Sequence, residues 1–164
     1  MRQDVSKPWG GDEALQLAME TEEIGRDFYD ALAGLLDDPR AARLCRALEK
    51  EEAKHYKVLK ALRSQMASRG ETITFSEEWI ASARQVARER VIPNRAEILR
   101  VVSAGRTTEV LGVAIEMEKD AVSYYRTLAV PVSGGDSDVF QAIIEEEEQH
   151  LRQLRTIAES EQED

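Results

Sequence analysis

The sequence contains two histidines, His55 and His150, and each lies three residues after a glutamate, Glu52 and Glu147. Three residues are nearly one turn of an α-helix, so each Glu-x-x-His segment projects a carboxylate and an imidazole from one face. Carboxylate oxygens and imidazole nitrogens, with no thiolate among them, suit iron or manganese, with zinc as a further occupant. Two more glutamates, Glu22 and Glu118, replace apolar residues on helical stripes that Tyr29 and Tyr125 continue two turns later. Four inward carboxylates would be severely destabilising without compensation. Two divalent ions would neutralise them and leave the imidazoles as neutral ligands.

Such residues need helices to bring them to one depth, and the apolar periodicity supplies four. Leu15, Ala18, Gly25, Tyr29 and Leu32 form one stripe, predicting a helix over 12–36. Asp38 is placed to cap the next helix and Pro39 to occupy its first turn. That helix, over 39–69, carries Ala41, Leu44, Leu48, His55, Leu59 and Leu62 inward and stops at Gly70. A third stripe, Leu111, Ala114, Ala121, Tyr125 and Leu128, predicts a helix over 107–130. The fourth, over 136–161, is expected to be capped by Asp136, with Val139, Phe140, Ile143, His150, Leu154 and Ile157 inward. Residues 70–106 read as a crossover of short helices interrupted by Pro93, and residues 1–11 as a flexible tail before a single domain over 12–161. Two antiparallel hairpins joined by one long crossover define an all-α, ferritin-like four-helix bundle.

The halves also repeat one another. Ala18-Met19-Glu20-Thr21-Glu22 with Phe28-Tyr29 is matched by Ala114-Ile115-Glu116-Met117-Glu118 with Tyr124-Tyr125, and Glu52-Ala53-Lys54-His55 by Glu147-Glu148-Gln149-His150. A repeat of this kind implies a pseudo-twofold axis that draws corresponding residues together.

Composition narrows the function classes. The chain has 164 residues, about one domain, with 42% hydrophobic and 33% charged residues and a net charge of −10. That balance argues against a nucleic-acid surface, which relies on clustered Lys and Arg. Cys45 is the single cysteine, so neither an internal disulfide nor a four-cysteine iron module can form within the chain. No stretch has the apolar length of a signal peptide or membrane span, and a cytoplasmic location is expected.

The segment Ala114-Ile115-Glu116-Met117-Glu118-Lys119-Asp120-Ala121 before Tyr124-Tyr125, taken with both Glu-x-x-His helices, resembles the rubrerythrin-like branch of the ferritin superfamily. The resemblance covers both hairpins. It implies a carboxylate-bridged di-iron centre that reacts with hydrogen peroxide or dioxygen, with Glu22, Glu52, His55, Glu118, Glu147 and His150 as metal ligands. Two departures stand out. The rubredoxin domain's cysteines are lacking, so the reductant would be another protein. Ala121 replaces the additional glutamate that rubrerythrins carry one turn after the third-helix ligand, leaving a symmetric set equally similar to ferroxidase sites. A homo-oligomer, at least a dimer, is expected.

Within the proposed set, Glu52 and Glu147 are placed to bridge two ions and Glu22 and Glu118 to be terminal ligands. The competing reading of all six is a satisfied buried ionic network, or surface charge at a different helical phase. Tyr29 and Tyr125 read as packed rings whose hydroxyls support a buried carboxylate rather than as redox groups. Glu145, Glu146 and Glu148 fall off the stripe of Glu147 and are expected to be solvated, as are Glu20, Glu23 and Glu116; Glu49 flanks the site. Cys45 reads as a packed side chain next to core position Leu44, and Trp9 and Trp79, outside the main helices, as covers of core edges or as an oligomer contact. The same ligands would serve a redox enzyme, a metal-storage subunit or a bundle merely stabilised by metal.

Overall fold

A computed structural model of the chain describes residues 11–71, 76–78, 81–82, 85, 96, 100, 103, 107–130 and 134–163, the last three through their backbone. Four helices span them: α1 Gly11–Leu35, α2 Pro39–Ser68, α3 Thr107–Ala129 and α4 Gly135–Glu163. There is no strand among the described residues. The tail, Trp9, Trp79 and most of the crossover lie outside them.

Each helix end has a local cause. The Asp38 carboxylate accepts from the Arg40 amide at 2.9 Å, and Pro39 fills the first turn of α2, where its missing N–H costs nothing. At the other end Gly70 takes φ +64°, so that its amide reaches Ala67 O and the Glu71 amide reaches Met66 O, the paired bonds of a glycine-terminated helix. Helix α4 begins one residue ahead of the expected Asp136. Gly134, at φ +69°, turns the chain, and its carbonyl accepts from Ser137 N. Asp136 therefore sits in the first turn, favourable to an anion, and bonds Arg69 at the end of α2 at 2.6 Å.

Helices α1 and α2 pack as one hairpin and α3 and α4 as the other, with α2 against α4 and α1 against α3 across the axis. The Tyr124 hydroxyl ties the hairpins by donating to Ala14 O at 2.9 Å. The interior is two apolar clusters rather than one. The first joins Leu15, Met19, Leu59, Leu62, Tyr125, Phe140 and Ile143; the second joins Phe28, Leu32, Cys45, Leu48, Leu111 and Leu154. On every helix the candidate ligands fall between a residue of the first cluster and one of the second. Cys45 is fully buried, as its reading as a packed side chain requires, while Leu44, expected on the inner stripe, is only half-buried. Burial pushes the Cys45 thiol up to about 12, as a packed, unreactive side chain requires. Among the described residues no helix is long and apolar enough to cross a membrane.

Candidate metal centre

The six residues picked out by spacing meet at the level between the two apolar clusters. Glu22, Glu52, His55, Glu118, Glu147 and His150 are the buried polar and charged residues among those described, none more than 5% exposed. They form two overlapping groups. Glu22, Glu52, His55 and Glu147 present one donor atom each within 4.8 Å of one another, and so do Glu52, Glu118, Glu147 and His150. Glu52 and Glu147 belong to both, the shared position that their sequence register suggests, while Glu22 and Glu118 each belong to one.

Both imidazoles face inward through Nδ1. His55 Nδ1 lies 2.9 Å from Glu147 Oε1 and 3.3 Å from Glu22 Oε2. His150 Nδ1 lies 3.0 Å from Glu147 Oε2 and 3.5 Å from Glu52 Oε1. The rings stack with centroids 5.8 Å apart. Each tyrosine crosses to the other half of the repeat: the Tyr29 hydroxyl donates to Glu118 Oε1 and the Tyr125 hydroxyl to Glu22 Oε1. Both hydroxyls are pushed well above the ordinary tyrosine range, first by burial and then by the carboxylates they face. They remain protonated donors that fix carboxylate orientation.

Protons balance the charge of this cluster. Burial, and then the neighbouring carboxylates with Glu147 foremost, push Glu52 and Glu118 well above the usual carboxylate range. Burial acts the same way on Glu147, but the imidazoles of His150 and His55 outweigh it and hold that carboxyl low. Burial opposes a charge on His55, yet the facing Glu147 and Glu22 raise it to about 11. The cluster thus holds an ionised Glu147 against a cationic His55, with protons on carboxyls that a divalent ion would displace. Even so the fit is imperfect: Glu22 Oε2, Glu52 Oε1, His55 Nδ1 and Glu147 Oε1 are buried and make no well-aligned hydrogen bond, although His55 Nδ1 lies 2.9 Å from Glu147 Oε1. Orphaned buried donors and acceptors are rare, and four that converge on one point, all hard or borderline ligand atoms, fit a cation.

Two residues around the site escaped the sequence argument. Glu146 was expected to be solvated, but its carboxylate accepts from His55 Nε2 at 2.7 Å and from Lys54 Nζ at 2.9 Å. The available signal was the second ring nitrogen of a buried histidine, which needs its own partner. The other is Gly25, whose place on the α1 stripe carried no role. A Cβ there would stand 3.0 Å from Glu52 Oε2 and 3.3 Å from Glu52 Cδ, so the missing side chain makes room for the shared carboxylate. Its counterpart in the repeat, Ala121, is also small and buried. Gly25→Ala should therefore raise the helix propensity of α1 by about 0.5–1 kcal/mol while displacing Glu52. The expected result is a metal-free protein that melts no lower than the parent but binds metal about 10-fold or more weakly, measured by calorimetric titration. Of the other acids, Glu116 and Glu148 form surface ion pairs with Lys119 and Arg126.

No protein-family model matches the chain, and no curated protein matches it. Among solved structures, a candidate ferritin-like diiron-carboxylate protein from Thermotoga maritima aligns over 92% of this chain and 95% of its own, with a TM-score of 0.73 and 24% identity. At that identity the likeness speaks for the fold, a ferritin-like four-helix bundle.

Proposed function

We propose that the protein is a rubrerythrin-like di-iron carboxylate protein, active toward hydrogen peroxide or dioxygen. One observation carries the reading: two four-residue donor groups overlap in the same two glutamates, inside an otherwise apolar bundle. A lone structural ion would need only one such group. Glu22 with His55 would complete one metal position and Glu118 with His150 the other, with Glu52 and Glu147 common to both. The likeness to the Thermotoga maritima protein, described as diiron-carboxylate, is consistent with iron over manganese or zinc.

Iron held there would supply electron transfer to a bound oxidant and Lewis acidity toward it. The protein's own part is to orient the donors through Tyr29 and Tyr125 and to exclude water with the apolar clusters on either side. At Ala121 a methyl takes the place of a seventh ligand, which favours a symmetric, ferroxidase-type set over ligand switching. Electrons for the centre would come from a donor protein, or from ferrous ion as substrate. We further propose a homo-oligomer, at least dimeric, which native mass measurement tests.

Stopped-flow mixing of the ferrous-loaded protein with peroxide and with dioxygen tests the activity. Oxidation by at least one of them faster than that of free ferrous ion is the expected result. If neither oxidant outpaces the free ion, the redox reading fails and metal storage takes its place.

A further inference from the structure

The repeat predicts a symmetric centre, and the tyrosine bonds obey it: Tyr29 to Glu118 is mirrored by Tyr125 to Glu22. At the imidazoles, one contact has no mirror. Glu146 accepts from His55 Nε2, whereas its repeat counterpart, Glu51, pairs with Lys54 at 3.2 Å. Among the described residues, no acceptor lies on the outer nitrogen of His150. The sequence difference behind this is Lys54, which stands where the other half has Gln149. The Lys54 ammonium binds Glu51 and Glu146 together and gathers both carboxylates on the His55 side.

At their inner nitrogens the two imidazoles are alike: His55 Nδ1 lies 2.9 Å from Glu147 Oε1 and His150 Nδ1 lies 3.0 Å from Glu147 Oε2, so an ion at either position takes the place of a contact with that carboxylate. The difference lies on the outer side of the rings. A carboxylate on the outer N–H of a ligating imidazole fixes its tautomer and makes the inner nitrogen a stronger donor.

Resting on the reading that these six residues bind two metal ions, we propose that the half-sites are unequal: the Glu22–His55 position fills first and more tightly, and Glu146 is the positioning residue responsible.

Anaerobic calorimetric titration with ferrous ion tests this on the intact chain. The parent should bind in two resolved steps, and Glu146→Gln should weaken the tighter step by about 10- to 100-fold while moving the weaker one little. The melting temperature of each metal-free protein verifies the fold. A readout independent of any variant is anomalous diffraction from the parent protein with one equivalent of metal. Density beside His55 is the expected result. Equal density at both positions, or density beside His150, overturns the inequality while leaving the two-metal reading intact. Absence of any bound ion at saturating metal overturns that underlying reading instead.

Discussion

Replacing Glu52 and Glu147 together by glutamine is expected to abolish two-metal loading. These two carboxylates belong to both donor groups, so the double variant removes a ligand pair from each position at once and halves the charge available to neutralise two divalent ions. Glutamine is nearly isosteric with both: at Glu52 it imitates the protonated acid that burial already favours in the metal-free protein, while at Glu147, which is ionised, it removes a counter-ion of His55 and lowers stability. The far-UV signal of the variant shows that the helices are retained, and metal analysis after saturation and desalting should find fewer than two ions per chain. Retention of two ions would refute the shared-ligand assignment. By contrast, replacing exposed Glu116, which pairs with Lys119 on the surface, should leave loading unchanged.

The second large effect is on thermal stability, and it depends on pH. An ion held at about 1,000 times its dissociation constant stabilises the fold by about 4 kcal/mol. Two such ions in a chain of this size correspond to a rise in melting temperature on the order of 15–30 °C. Protons compete for the same atoms. His55, raised to about 11, keeps its proton in the folded metal-free protein at pH values where the unfolded chain releases it above about 6.5. Its contribution to metal-free stability is therefore complete below the unfolded value and declines as pH rises toward the folded one. Glu52 and Glu118, also raised, act in the same sense above their unfolded value. Glu147 is held low, so its contribution is lost only in acid below the unfolded carboxylate value. Between pH 5 and 8 the metal-free protein should thus lose stability while the metal-bound form, whose ligands are deprotonated, gains by comparison. Melting curves with and without metal should diverge steadily as pH rises across that range. A gap that stayed constant or narrowed would mean that these residues do not exchange protons for metal.

The meeting of these six buried residues was legible in the sequence because a helical stripe is read by period, and a charged residue in an apolar stripe is an anomaly that period alone exposes. Glu22 and Glu118 interrupt such stripes, and the repeat places them opposite each other without any knowledge of loop geometry. The two hairpins follow from the same periodicity together with Asp38-Pro39 and Gly70, whose backbone chemistry fixes where α2 begins and ends. What period could not supply was contact between helices. Glu146 lies off the stripe of its own helix, yet the neighbouring α2 brings His55 and Lys54 to it. A one-helix projection assigns such a residue to solvent. Gly25 was visible as a small residue on a stripe, but its purpose depends on where the Glu52 side chain of another helix lands. Leu44 and Cys45 are adjacent apolar positions, and the packing of Cys45 into the second cluster leaves Leu44 at its edge, half-buried.

The central claim is that four helices close around two metal ions sharing Glu52 and Glu147, and one measurement reaches it directly. Diffraction from crystals saturated with ferrous iron, collected on both sides of the iron absorption edge, should show two anomalous peaks about 3.5–4 Å apart between the apolar clusters. Carboxylate oxygens of Glu52 and Glu147 should lie within bonding distance of both peaks, with His55 on one and His150 on the other. A single peak, or iron confined to the acidic surface with the six side chains still hydrogen-bonded among themselves, would contradict the account.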